Sequence, residues 1–577
     1  MSFNTYYQDE LAYLREMGRE YAERFPKRGG FLAEPGTDPD VERLLEGFAF
    51  LTGRVRQKLD DELPEFTHAL LELFWPHYLR PLPSFTVIQF EPTSKALDKV
   101  IPVERDTELA ASDIDGTSCR FRTTSHLDAV PLSVSDLEIG PSNSPYVRVV
   151  LEPKKAGALK KLKLDRLRFY LAGETNAATS LRLCLLRYTK KVVLRAKTLK
   201  EPVTIDATIR PGGLESTDAL FPLPKVSFPG FRLLFEYFAF PEKFNFVEVA
   251  GLQALADVGN CKQLELIFEL SELPQEMPPV NAKNVMLNCV PAVNVFAHDG
   301  DPIRIDHTRS EYKLRPSCND AAHYEVYSVE DVTGVRRGQA QHRSYSPLFS
   351  FQREEGGLFF RARRAPSQTL EGSDMFVSFV GHTDADELDI GETVSTSLLC
   401  TNRQLPRSLG LGAVTEHTSS SPRALKFANV TAPTPSVPAP ISGDLYWSLI
   451  SHLSLNYLSL ADAPRLRELL RLYDFRALVD RQAARTLDRK LSGIQDVRSE
   501  RATRVLKGAA VRGMKVVLDL DEERFGGEGE VHLFGDVINQ LLGQYVSLNA
   551  FSELEVRGQK FGEVHTWAPR SGERSIL

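Results

Sequence analysis

Cysteine is scarce in this chain of 577 residues: Cys119, Cys184, Cys261, Cys289, Cys318 and Cys400 are all there is. Even the nearest two, Cys261 and Cys289, stand far outside CxxC spacing, which excludes a zinc ribbon or a dithiol redox motif. They read as reduced and mostly buried thiols of a cytoplasmic protein. Long apolar runs are missing too. The nearest approach, Leu445 to Ala461, has no Asp, Glu, Lys or Arg, but it is short and interrupted by serines, Asn456 and His452, so no membrane span is expected. The opening MSFNTYYQDELAYLREMGRE lacks the apolar core of a secretory leader. Charge of one sign does not dominate: the net charge is −7 and the pI about 6.0, against a general nucleic-acid or membrane-surface binder.

The motifs of common chemistry are also missing. There is no P-loop, HExxH, GxSxG or EF-hand pattern. Leu409-Gly410-Leu411-Gly412-Ala413 lacks the third glycine of a dinucleotide loop. His298, Asp299, Asp301, Asp306 and His307 resemble metal ligands, yet Asp299-Gly300 is a turn signal between two strands, Asn294–Phe296 and Ile303–Ile305, where such side chains are solvated. The run Asp60-Asp61-Glu62 reads as a solvated helix end. Two basic groups, Arg361 with Arg363 and Arg364, and Lys154 with Lys155, Lys160, Lys161 and Lys163, read as solvated surface or as docking sites for an acidic neighbour. No catalytic residue, metal or cofactor is expected.

What the chain does have is helices at its ends and many short strands between. Tyr7, Leu11, Leu14, Gly18, Tyr21 and Phe25 make a heptad-like seam on a first helix to about residue 28. Asp38-Pro39 opens a second helix, with Val41, Leu44, Phe48, Leu51, Val55 and Leu59 on one face. Pro64 breaks it, and a very apolar segment carries Phe74, Trp75 and Tyr78 up to Pro81-Leu82-Pro83. From Phe85 the pattern turns to short strands separated by Gly, Pro, Asn and Asp, as in Phe85–Phe90, Tyr146–Leu151, Leu181–Leu186 and Met375–Val380. Phe228 to Phe240 reads as an aromatic helix plugging a sheet end, and the polar stretches Arg336–Tyr345 and Gln352–Gly357 as loop. Four prolines between Thr431 and Pro440 indicate an extended spacer or a strap across a surface, the strap being favoured. Helices follow to about Val505, then a strand from Lys515, a helix over Leu533–Ser547 and a strand from Phe551.

The fold class is therefore α+β: N-terminal helices, β-rich sandwich or barrel-like middle domains, and a mixed α/β C-terminal domain. The expected domains are 1–84, 85–285, 286–430 and 443–577, with 431–442 as the strap or linker. Tyr7, Leu11, Leu14, Phe48, Leu51, Trp75, Tyr78, Tyr446 and Trp447 are candidate interface residues. The same aromatic content also suits a domain core, and an obligate interface resembles a core cut in half.

The run DPDVERLLEGFAFLTGRVRQKLDDELPE with LFWPHYLRPLPS resembles the signature of the TssF family (also VasA or ImpG). EYFAFPEKFNFVEV, NCVPAVNVF, TNRQLP and LFGDVINQLLGQYVSLNAFSELEVR extend that resemblance over nearly the whole chain. It implies a structural, non-enzymatic subunit of the type VI secretion baseplate, cytoplasmic and docked at the inner membrane through the apparatus. The partners it implies are TssG, a second TssF copy in a 2:1 wedge, TssK, TssE, the VgrG hub and, indirectly, the sheath, with neither nucleic acid nor direct membrane insertion. The competing reading is a hydrolase on a β-sandwich, which needs two facing carboxylates in a pocket.

Overall fold

The computed structural model describes residues 3–25, 39–60, 71–72, 76–94, 97–155, 159–162, 164–221, 229–306, 308–336, 342–348, 357–367, 369–381, 392–441, 462–506, 509–546, 550–560 and 562–572. The chain divides into two units, one of residues 1–79 with 440–451 and one of residues 80–439 with 452–577. No described helix is long and apolar enough to cross a membrane.

The smaller unit is built on two helices of 22 residues each, α1 (Phe3–Arg24) and α2 (Pro39–Asp60). Asp40 and Glu42 in the first turn of α2 suit its positive end. The two helices pack on each other through small residues: Gly18 of α1 and Ala49 and Gly53 of α2 are buried, together with Leu11. An Arg15–Glu42 ion pair spans the contact.

In the larger unit the strands form mostly antiparallel sheets, with two parallel pairs. A five-stranded sheet runs Val203–Ile205, Thr189–Ala196, Leu264–Leu270, Tyr146–Pro153, Leu132–Ile139. It faces a four-stranded sheet, Thr208–Pro211, Phe246–Ala250, Arg166–Leu171, Val285–Leu287. Val149, Leu194, Leu266 and Phe268 from the first meet Phe169, Leu171, Val247 and Val249 from the second in one core, which makes this part a sandwich. A six-stranded sheet joins distant sequence: Phe85–Pro92 lies between Cys289–Val293 and Leu425–Asn429. The expected boundary at 285/286 therefore cuts through a sheet, because non-local pairing leaves no trace in local composition. The segment after Thr431 turns back along the same strand. Thr431 and Thr434 bond the backbone of Val87 and Phe85, Leu82 pairs with Val437, and Val437 is buried.

Several local expectations change. Leu181–Leu186 is not a strand: α3 (Thr175–Leu183) passes into a π-turn at Cys184–Tyr188, since an apolar run buried on all sides carries no period to read. His342–Pro347, expected in a loop, is a strand pairing antiparallel with Glu325–Arg336 and parallel with Leu358–Pro366. Phe296–Asp299 and Ile303–Arg304 both pair with Glu392–Thr401 rather than with each other. The helical reading to Val505 stops early. After α5 (Ala463–Arg471) and α6 (Arg481–Ser492), the residues Ile494–Leu506 form a strand against Ala509–Leu520. The aromatic helix α4 (Pro229–Ala239) is buried, Phe235 against Phe221 and Phe475, and Tyr237 near Phe534. At the C terminus, α7 (Glu528–Tyr545) crosses between the parallel strands Ala509–Leu520 and Ala550–Gly558, a βαβ unit. A Cβ at Gly529 would lie 2.5 Å from the Thr179 backbone, so glycine is what lets α7 touch α3.

Candidate functional site

The apolar face of α2 read from the sequence points outward. Leu44, Phe48, Leu51 and Val55 are 74%, 57%, 63% and 59% exposed, while the small residues Ala49 and Gly53 make the contact with α1. A second row, Tyr13, Met17, Tyr21 and Phe25, is exposed along α1 and its end. Their spacing of three and four places each row along one side of its helix. Of the candidate interface residues, Phe48 and Leu51 lie in these rows. Leu11 is buried between the helices, Tyr7 and Leu14 are half-buried, and Tyr78 is buried. Trp75, Tyr446 and Trp447 lie outside the described residues. Missed at the sequence level were Ala49 and Gly53. Their signal was there, two small residues four apart beside a face of large ones.

Half of the residues in the two basic groups are partnered within the chain. Arg363 forks onto Glu311 at 3.0 and 2.6 Å, and buried Arg364 bonds Ser373 and the Tyr327 carbonyl. Lys154 and Lys155 sit near Glu91 and Asp98. Two of the metal-like residues near the Asp299 turn are also partnered: His298 Nε2 lies 2.9 Å from the Ser317 carbonyl, and Asp306 accepts from Tyr312 and Thr308. His307 lies outside the described residues.

A polar cavity of about 580 Å³ opens beside the sandwich, lined by Arg166, Arg168, Arg210, Asp128, Asp218 and Glu248 among others. Two of these three arginines are ion-paired with carboxylates of the lining. Arg166 lies 3.3 Å from Asp128, and Arg168 lies 3.3 Å from Asp218, 3.8 Å from Glu248 and over the Phe246 ring.

A buried polar network joins α3 to α7. Arg182, fully buried, donates to Asp536 Oδ2 at 2.6 Å and to the Phe244 carbonyl at 3.0 Å, and its Nη1 lies 3.4 Å from His532 Nδ1. Trp567 Nε1 donates to Asp536 Oδ1 at 2.6 Å. Burial would raise the Asp536 carboxyl, but the Arg182 guanidinium holds it below the usual range. Burial pushes His532 down to about 3, so the ring is neutral. Next to this network Glu528 and Glu563 face each other beside Tyr188 and His565. Burial first, and then the facing Glu563, push Glu528 up to about 8. Neither glutamate lines the cavity.

Comparison with known proteins places this geometry in a family. The family model described as "Type VI secretion system, TssF" matches residues 1–574. The chain belongs to the TssF family. The type VI secretion system component TssF1 of Pseudomonas aeruginosa is 34% identical over an alignment that covers 99% of each chain. Among solved structures, the fold is similar to a chain of a TssK-TssF-TssG baseplate subcomplex seen by cryo-electron microscopy. That match has a TM-score of 0.76 and 30% identity, covering 92% of this chain and 100% of the other. A chain of a type VI secretion baseplate complex aligns with TM-score 0.63 and 27% identity over the full length of both. As a member of the family, the chain is a component of the type VI secretion baseplate.

Proposed function

We propose that the chain is a structural, non-catalytic subunit of the baseplate wedge, and that the α1–α2 pair is where it joins its partners. The observation that carries this reading is the pair of exposed apolar rows, one on each helix, beside a tight seam of small residues. Contiguous apolar surface of this kind on a folded unit marks an interface. The partner for these rows is TssG, in a wedge with two copies of this chain and one of TssG. TssK and TssE bind the wedge, the wedges surround a VgrG hub, and the apparatus reaches the inner membrane through its other components. Supporting the first two partners, one of the similar solved assemblies includes TssK and TssG. The wedge then works mechanically, by rearranging rigid β-rich bodies about helical contacts.

Co-expression with the TssG-like partner followed by native mass spectrometry tests this. A stable 2:1 complex is the expected result. A well-behaved monomer that ignores the partner would overturn the wedge reading. A hydrolytic role draws little support: Asp128, Asp218 and Glu248 of the cavity are each ion-paired with an arginine, and the two facing glutamates lie elsewhere.

A further inference from the structure

The assembly role makes no use of the group formed by Glu528, Glu563 and His565. Glu528 opens α7, and Glu563 and His565 flank the start of the strand Val564–Thr566. One ligand atom from each of the three lies within 4.8 Å of the other two. The His565 and Glu528 side chains are only 5% and 6% exposed, whereas Glu563 is 26% exposed and leaves a route in.

The spacing is informative. His565 Nε2 lies 3.9 Å from Glu528 Oε1 and 3.9 Å from Glu563 Oε2, beyond hydrogen-bond length to either. A buried imidazole thus faces two carboxylates across a gap without bonding them. Glu528 Oε2 is also buried and accepts no hydrogen bond among the described residues. Buried polar atoms are ordinarily satisfied, so this oxygen, on a carboxylate whose other oxygen faces the imidazole, calls for a further partner. Four ligands about 2.1 Å from a central ion sit roughly 3.4 Å apart. A closure of about half an ångström on the two edges from His565 therefore brings its nitrogen to the spacing of a coordinated ligand. The Tyr188 hydroxyl bonds Glu528 and lies 3.3 Å from Glu563 Oε2, placed as the outer partner that orients both carboxylates.

We propose that Glu528, Glu563 and His565 form a divalent-metal site of the zinc class, with one imidazole, two carboxylates and an open fourth position. Imidazole with carboxylates suits Zn²⁺ and rules against a soft-metal site, which needs thiolates. The ion fastens the first turn of α7 to the C-terminal strands, and through Tyr188 to the β-sandwich. Its role is structural, and it does not depend on which partners the helix pair binds.

The test is a Co²⁺ titration of the full-length, metal-stripped chain, read by the visible absorption of a four-coordinate site, with displacement by Zn²⁺. Metal content of the protein as purified is measured beside it. One Co²⁺ per chain, displaced by Zn²⁺, is expected. Glu563→Gln, on the most exposed of the three, should bind at least tenfold more weakly, and His565→Ala should lose the band. His126→Ala, at an exposed histidine that also sits between two carboxylates, Glu104 and Asp128, should bind as the wild type does. Zn²⁺ should raise the melting temperature of the wild type but not of Glu563→Gln. If His565→Ala does not fold, Glu563→Gln still decides. Absence of stoichiometric Co²⁺ binding, or binding unchanged in Glu563→Gln, overturns the proposal.

Discussion

Replacing Phe48 by Asp separates assembly from folding. Phe48 is 57% exposed on the outer row of α2. A phenylalanine side chain offers roughly 200 Å², so a partner helix covering this position would remove about 110 Å² of apolar surface from water. At about 25 cal/mol per Å² that burial contributes about 3 kcal/mol, or about two decades in Kd. The carboxylate adds a desolvation cost, so the loss should be at least this large. In the free chain the same position faces solvent, and surface substitutions shift stability by about 0.5 kcal/mol. Phe48→Asp should therefore unfold in urea as the wild type does, yet bind the TssG-like partner about a hundredfold more weakly or not at all. Ala49→Asp, one residue on and fully buried against α1, should damage both. Urea unfolding of the chain alone, with partner affinity by calorimetry, distinguishes the two variants. A Phe48→Asp chain that binds with wild-type affinity would refute the assignment of this row to an interface, and one that unfolds would refute its exposure.

Asp536→Ala strands the fully buried Arg182 guanidinium without its carboxylate. It should cost about 3–5 kcal/mol in urea unfolding, whereas Arg182→Met with Asp536→Leu should recover much of that; a single variant as stable as wild type would sink the account. Gly529→Ala places a methyl group against the Thr179 backbone and should cost about 1–3 kcal/mol, read as a drop in melting temperature. Burial pushes the thiols of Cys119, Cys184 and Cys400 up to about 12, which keeps them protonated at pH 8. A thiol reagent should therefore find half-buried Cys318 first and all six only after denaturation, as counted by mass spectrometry. Rapid native labelling of Cys119 or Cys400 would contradict that burial.

The helices were the most legible part of this chain. The Asp-Pro pair at 38–39 and apolar steps of three and four are local sequence signals, and α2 runs from Pro39 to Asp60. The strand-rich middle was legible as a class, through β-branched residues between turn signals, and the motif runs of the N-terminal helices and the C-terminal region identify the family. Which residues pair was not legible. Phe85–Pro92 finds partners about 200 and 340 residues away. No local pattern announces a contact between Arg182 and Asp536, or the approach of Tyr188 to Glu528 and Glu563. The direction of the α2 face is the sharpest case. Periodicity establishes that Leu44, Phe48, Leu51 and Val55 share a side, but whether that side meets this chain's core or the solvent depends on where α1 packs. In the folded unit α1 takes the shallow side lined by Ala49 and Gly53, where two backbones approach closely, and the large apolar residues are left facing out. Sequence by itself determined the class, the family and the N-terminal helices, because capping, propensity and periodicity act over a few residues. The tertiary structure alone decided which surfaces are used up inside the chain and which remain for a partner, because that depends on packing between segments far apart in sequence.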